Sequence, residues 1–321
     1  FAERSEHHVF LEPEAIDSEE IYCNGISTSL PAEIQIDIVR GMPGCERAEI
    51  LKPGYAVEYD MVRPHQIDAT CETKRVAGLY LAGQINGTSG YEEAAGQGLL
   101  AGLNAARRSL GESAIRLGRE EAYIGVMMDD LVTRTPREPY RMFTSRAEHR
   151  LRLRADNADE RLTSLGREFR IVGDDQWVRW KQRESDLKSL HHDFAKVRVE
   201  GKLLKEIARR PETTAHDVLP YLKLNDIQLV DRVINDSRYE SFIRRQDSEI
   251  KRQKSSEHAS IPVNLEPKSI AGLRSEAREV LEKFRPRTMG QASRLAGVNP
   301  ADISLLAVAI RKHRAERENE E

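Results

Sequence analysis

The fold is decided where Leu81-Ala82-Gly83-Gln84-Ile85-Asn86-Gly87-Thr88-Ser89-Gly90 runs into Tyr91-Glu92-Glu93-Ala94-Ala95-Gly96-Gln97-Gly98-Leu99-Leu100-Ala101. Gly78–Gln84 reads as a short buried strand entering a turn, Ile85–Gly90 as a polar glycine loop, and Tyr91–Arg108 as a helix rich in small residues. Strand, glycine loop and helix in that order aim unpaired backbone N–H groups and the positive end of the helix dipole at one point. A phosphate or an electron-rich ring edge sits well there, and small side chains let the helix come close to it. Gly96-Gln97-Gly98-Leu99-Leu100-Ala101 matches the dinucleotide pattern G-x-G-x-x-A, but it falls inside the expected helix with no strand before it, so it carries no meaning. On spacing alone, the segment fits the ordinary turn of any α/β domain as well as a cofactor loop.

Composition shifts near residue 110. Before it, glycines, prolines and short apolar runs give strands and turns. After it come charged stretches with helical spacing: Ala122–Val132, Asp174–Leu190 and Asp226–Lys254. A polar, proline-containing stretch at Ser255–Pro267 separates three further helices, near Leu273–Phe284, near Thr288–Ala296 and from Pro300, with Asn299 as the cap of the last. The boundaries expected from this are 1–110, 111–255 and 256–321. The 321 residues carry 50 Lys+Arg and 53 Asp+Glu, a formal net charge of −3, which excludes a uniformly basic nucleic-acid-coating chain but not a local patch. No apolar run reaches the roughly 20 residues that span a bilayer. Phe1 is not a start methionine, so a piece whose beginning lies elsewhere is expected.

The patch lies at residues 134–154, where Arg134, Arg137, Arg141, Arg146, Arg150, Arg152 and Arg154 face only Glu138 and Glu148, with no lysine. Guanidinium groups grip phosphates bidentately and stack on bases, so an all-arginine patch points to nucleic acid. Tyr140 and Phe143, interleaved with it, are the aromatic surfaces that would stack an unpaired base. A solvated face with internal ion pairs is the competing reading. Thr144-Ser145 would cap a helix from Arg146, bringing Arg146 and Arg150 onto one face beside Arg141. A second basic run, Arg238, Arg244, Arg245, Lys251, Arg252 and Lys254, lies on the expected long helix.

Other candidates read as structure. Cys23, Cys45 and Cys71 are scattered, with no base or cation beside them and no zinc spacing. The adjacent pairs His7-His8 and His191-His192 point apart, and no metal site is expected. Trp177 and Trp180 share a helix face and read as core; Asp129-Asp130 reads as a structural acidic pair. The terminal helices could form a helix-turn-helix, but Ile303, Leu305, Leu306, Val308 and Ile310 leave few polar side chains for base edges, so a partner protein suits them better than DNA.

Leu81–Ala106 closely resembles the MnmG (GidA) family of flavoproteins, which modify the wobble uridine of tRNA. Agreement extends to Asn24–Leu30 (NGISTSL), Lys52–Asp60 (KPGYAVEYD), Glu138–Arg150 (EPYRMFTSRAEHR), Asp156–Asp159 (DNAD) and Gly290–Leu295 (GQASRL). The chain departs from the usual pattern at Gly96, His149 and Cys23. The resemblance implies the carboxyl-terminal half of such a protein, with the α/β part of an FAD/NAD-binding, Rossmann-like domain followed by an all-α region. It implies that Gln84 contacts FAD, with Asn86, Gly87, Thr88 and Gly90 as the adjoining loop, and that Tyr140, Arg141, Arg146, Arg150 and Arg154 meet tRNA. It further implies use of FAD and NADH, docking of the GTPase MnmE by the terminal helices, a homodimer within a heterotetramer, and a cytoplasmic location without membrane or DNA contact. The implied activity adds a carboxymethylaminomethyl-type group at C5 of uridine 34. The alternative is a catalytically incomplete fragment that only binds RNA and partner. No catalytic nucleophile is identified.

Overall fold

Gln35 is the sole buried side chain among the described residues of the first of two compact units, Phe1–Asp60. The computed structural model describes residues 3–134, 138–257 and 259–318, with side chains except at 252–257 and 314–318. In this first unit β1 (Phe10–Pro13) pairs antiparallel with β2 (Ile21–Asn24), placing Phe10 opposite Asn24 and Pro13 opposite Ile21. The helix α1 (Ala32–Arg40) follows. Gln35 Nε2 donates to the Leu30 and Gly54 carbonyls at 2.6 and 2.9 Å, and Gly54 N–H returns a bond to Oε1 at 2.7 Å, so one amide ties the extended fifties to the helix. Phe10, Leu11, Ile21, Tyr22 and Tyr55 stay exposed. A lone two-stranded hairpin buries too little to build a core of its own.

The second unit, Met61–Glu321, is mostly helical. The strand expected at Gly78–Gln84 reduces to one bridge, Glu72 to Tyr80, with Leu81 N–H donating to the Cys71 carbonyl at 3.0 Å. A single 3₁₀ turn, Gly83–Asn86, then leads into α2 (Tyr91–Ser109). The chain folds back on its own preceding residues here, so the segment pairs locally and builds no longer ladder. The helix α3 (Tyr123–Thr133) packs beside α2, and Cys71, Leu100, Met127, Met128, Leu131 and Tyr140 form the core between them.

Further along come α4 (Ala158–Glu168), α5 (Asp174–Lys196), the two-residue strands β3 (Arg198–Val199) and β4 (Lys202–Leu203), α6 (Leu204–Ala208) and α7 (Ala215–Val218). The long α8 (Ile227–Glu257) buries Val230, Val233 and Ile234 against Leu190, Phe194 and Leu204, as its three-and-four spacing predicts. Each such apolar side chain contributes about 1.5–3 kcal/mol. Trp180 is buried, whereas Trp177 is only half-buried, with Lys181 Nζ 4.9 Å from its ring centroid.

Helices α9 (Ser275–Phe284), α10 (Met289–Arg294) and α11 (Pro300–Glu318) form a terminal bundle. Asn299 caps α11 reciprocally with Asp302: each backbone N–H donates to the other's side chain at 2.9 Å. Leu306 and Ile310 are buried in the bundle's own core, with Ile303 and Leu305 packed against it. Of the apolar side chains that suggested an outward docking face, Leu306 and Ile310 are spent internally, Ile303 and Leu305 are half-buried, and Val308 is exposed. No helix among the described residues is long and apolar enough to cross a membrane.

Candidate flavin loop and nucleic-acid interface

Gln97, fully buried on α2, organises the loop that precedes its own helix. Its Oε1 accepts from Gly83 N–H at 3.1 Å and from Asn86 Nδ2 at 2.8 Å, and its Nε2 donates to Thr88 Oγ1 at 3.0 Å. Asn86 Nδ2 also donates to the Leu81 carbonyl at 2.7 Å. Asn86 and Thr88, expected to line a cofactor, thus turn their side chains inward and hold the loop's shape. Gln84 is exposed, and Gly87 takes the left-handed conformation (φ +84°) that a side chain would strain. Gly90 precedes α2 without a capping side chain, and a Cβ there would lie 1.5 Å from Glu93 Oε2. An α-helix leaves its first-turn N–H groups without partners inside the helix. Asn86 Oδ1 is buried with no partner among the described residues. The exposed Gln84 amide and the close, side-chain-free approach at Gly87 fit the polar edge of a flavin. Gln97 went unread in the sequence, although an amide repeated at Asn104, seven residues on and on the same helix face among small residues, was its signal.

The loop does not stand alone. Tyr140 N–H donates to the Gly87 carbonyl at 2.7 Å, Ser89 N–H to the Tyr140 carbonyl at 3.3 Å, and Met142 N–H to Glu93 Oε1 at 2.7 Å. Two motifs fifty residues apart in sequence therefore run side by side. Tyr140, expected to stack a base, is only 5% exposed, and its hydroxyl donates to Asp130 Oδ2 at 3.0 Å. Burial and the Asp130 charge push its phenol well above the usual range. It supports the segment and offers no ring face to a base. Phe143 is 58% exposed and does.

The helix expected from Arg146 is a single 3₁₀ turn, Thr144–Arg146. The arginines divide sharply. Arg141 and Arg150 are exposed. Arg154 is turned inward between Asp156, at 2.8 Å, and Asp236, and so is held in internal ion pairs. Arg152 pairs with Asp247, and Arg134 lies 4.0 Å from Asp130. Arg137 lies outside the described residues. In the second run Arg238 donates to the carbonyls of Ala208, Arg210, Pro211 and Thr213, and Arg244 pairs with Glu240 at 2.6 Å. The side chains of Arg252 and Lys254 lie outside the described residues.

Behind the segment sits Arg119, which the sequence gave no reason to single out. It pairs with Asp130 at 2.8 Å, Asp129 at 3.2 Å and Glu148 at 2.8 Å, and its Nη2 donates to the Arg146 carbonyl at 3.1 Å. Arg294 of α10 holds the other side of Asp129 at 2.7 and 2.9 Å. The acidic pair is structural, and it joins the terminal bundle to α3. Cys71 is a packed thiol: burial and then Asp68 push it up to about 12, and its Sγ lies 3.7 Å from Met128 Sδ.

Comparison with known proteins places this geometry. The family described as "Glucose inhibited division protein A" matches residues 1–113, and "tRNA modifying enzyme MnmG/GidA C-terminal helical bundle" matches residues 249–321. The tRNA uridine 5-carboxymethylaminomethyl modification enzyme MnmG of Streptococcus sanguinis is 44% identical over 97% of this chain and 52% of its own length. Its counterpart in Streptococcus pyogenes is 45% identical over 97% and 53%. Crystal structures of Aquifex aeolicus GidA superpose with TM-scores of 0.83 and 0.84 at 42% and 43% identity, over 97% and 96% of this chain and 53% and 52% of theirs. The chain thus spans about half the length of the relatives it matches. It has the corresponding fold, a Rossmann-like region followed by a helical one. At this identity and over nearly its whole length, the chain belongs to the MnmG/GidA family.

Proposed function

We propose that this chain supplies the RNA-docking half of an FAD- and NADH-dependent enzyme that modifies C5 of the wobble uridine of tRNA, working with the GTPase MnmE. One observation carries the reading: residues 87–89 of the candidate flavin loop are hydrogen-bonded to Tyr140, at the head of the exposed arginine segment. A base held by that segment is held beside the loop. Bound flavin supplies the redox chemistry. The exposed Gln84 amide and the first-turn N–H groups of α2 would hold its polar edge, while Asn86 and Thr88, through Gln97, keep the loop in shape. Arg141 and Arg150 bind phosphates. Assembly as a homodimer with MnmE, and a cytoplasmic setting, belong to the same reading; the bundle's sparse exposed apolar surface means that docking there would rely on polar contacts.

The test uses the full-length protein. Gln84→Ala and Gly87→Val lower flavin retention, read from visible absorbance, with tRNA binding intact. Arg141→Glu and Arg150→Glu weaken tRNA binding and flatten its salt dependence with flavin content unchanged. Wild-type salt dependence in both arginine variants would remove the RNA assignment. A second reading, a binding module without activity, rests on the chain's spanning about half of its relatives; a colourless purified chain that still binds tRNA would favour it.

A further inference from the structure

We propose that Arg146 and Phe143 form a stacking site for one unpaired RNA base beside the flavin loop. The inference rests on the functional reading above and assigns to Arg146 a role other than phosphate contact.

The site is built from the inside outward. Its floor is the ring of Tyr140, buried, anchored by its hydroxyl to Asp130 and by its backbone to Gly87 and Ser89. The guanidinium of Arg146 lies over that ring, 4.4 Å from its centroid. Its position is fixed from two sides: Nε donates to the Arg141 carbonyl at 2.7 Å, and the Arg146 carbonyl accepts from Arg119 at 3.1 Å. Arg119 is in turn locked by three carboxylates. A planar cation laid on an aromatic ring presents its opposite face, and guanidinium planes take bases there. No carboxylate among the described residues pairs with Arg146, unlike Arg119, Arg152 and Arg154.

Phe143 supplies the wall. Its ring centroid is 5.9 Å from the Arg146 guanidinium carbon. A single exposed phenylalanine is ordinary on a protein surface. This one sits between a backbone bridge at Tyr140 and a 3₁₀ turn at Thr144–Arg146, so its ring is carried on a fixed backbone. A phosphate would use the cation and leave the ring idle; a base uses both. Phe143 is three residues beyond Tyr140, within about 10 Å of the loop along the chain.

The experiment measures binding by the full-length protein to an anticodon-type stem–loop RNA, and to versions carrying an abasic nucleotide at each loop position in turn. For the wild type, one abasic position costs about 5- to 100-fold in affinity. Phe143→Ala and Arg146→Met lose a similar factor on the intact RNA and nothing more on that abasic probe. Phe143→Ala keeps the wild-type salt slope, because an aromatic ring releases no counterions, and Phe143→Tyr restores affinity. Wild-type affinity for the intact RNA in Phe143→Ala, with the abasic penalty retained, would overturn the stacking site and leave the functional reading standing. Failure of the wild type to bind any of these RNAs would overturn that reading as well.

Discussion

Residues 138–150 and residues 151–247 use the same side chain in opposite ways. In the first stretch Arg141 and Arg150 are exposed, and Arg146 lies on an aromatic ring. In the second, Arg152, Arg154 and Arg183 are paired with acids, and Arg232, 1% exposed, holds Asp159 and Glu160 to tie α8 to α4. The two stretches look alike as counts of charge. They differ in whether a carboxylate from another element arrives at each cation, and that separates a binding surface from a strut. A buried, paired arginine is costly to remove because its partners are left charged and dry; an exposed one is cheap to remove but alters every long-range encounter with an anion.

The largest expected effect breaks the internal set. Arg119→Ala leaves Asp129 and Asp130 buried with fewer partners and should destabilise the fold by about 3–5 kcal/mol in urea unfolding. A loss under 1 kcal/mol would show that the carboxylates find other partners and that the contrast is overstated. Next comes a matched pair. Arg154→Ala should cost about 2 kcal/mol of stability for its charged hydrogen bonds and leave the salt slope of tRNA binding alone. Arg150→Ala should do the reverse, changing stability by under about 0.5 kcal/mol and the slope by roughly one unit. Equal slopes for the two variants would erase the distinction.

The smallest effect concerns a half-buried cation held by a carbonyl. Lys74 Nζ bonds the Phe284 carbonyl at the end of α9. Burial lowers its pKa to about 8, with nearby Arg287 and Arg285 adding to the drop and Asp68 opposing it. The folded chain then binds fewer protons at this site than the unfolded chain between pH 8 and the ordinary lysine value near 10.5, so its contribution to stability rises with pH through that window. For a partly buried side chain the gain is on the order of 1 kcal/mol. Thermal unfolding of wild type and Lys74→Met across pH 7.5–10 checks it: the difference should shift toward the wild type as pH rises. A flat difference would place Lys74 in ordinary solvent.

Much of the helical order was legible. Val230, Val233 and Ile234 announce α8, Asn299-Pro300 announces α11, and the small residues after Gly90 announce α2, because capping and apolar periodicity are local properties. The failures have equally specific causes. Gly78–Gln84 reads as a strand, but a strand exists only with a partner, and here the chain pairs with its own preceding residues for one bridge. Thr144-Ser145 reads as a helix cap, but backbone bonds from Tyr140 and Met142 to the loop and to Glu93 fix the approach, and one 3₁₀ turn results. Tyr140 and Phe143 are equivalent in sequence; the carboxylate of Asp130, ten residues back along the chain, draws one inside.

The family, the positions of most helices, the glycine loop and the arginine-rich segment are legible from contiguous residues alone. What contiguous residues do not show is which arginines lack a carboxylate among the described residues, which aromatic ring is exposed, and that the loop and the arginine segment run side by side. A charge or a ring acquires its role from what packs against it: Asp130 and Gln97 act from about three helical turns away, while Asp236 and Glu93 come from distant positions in the chain.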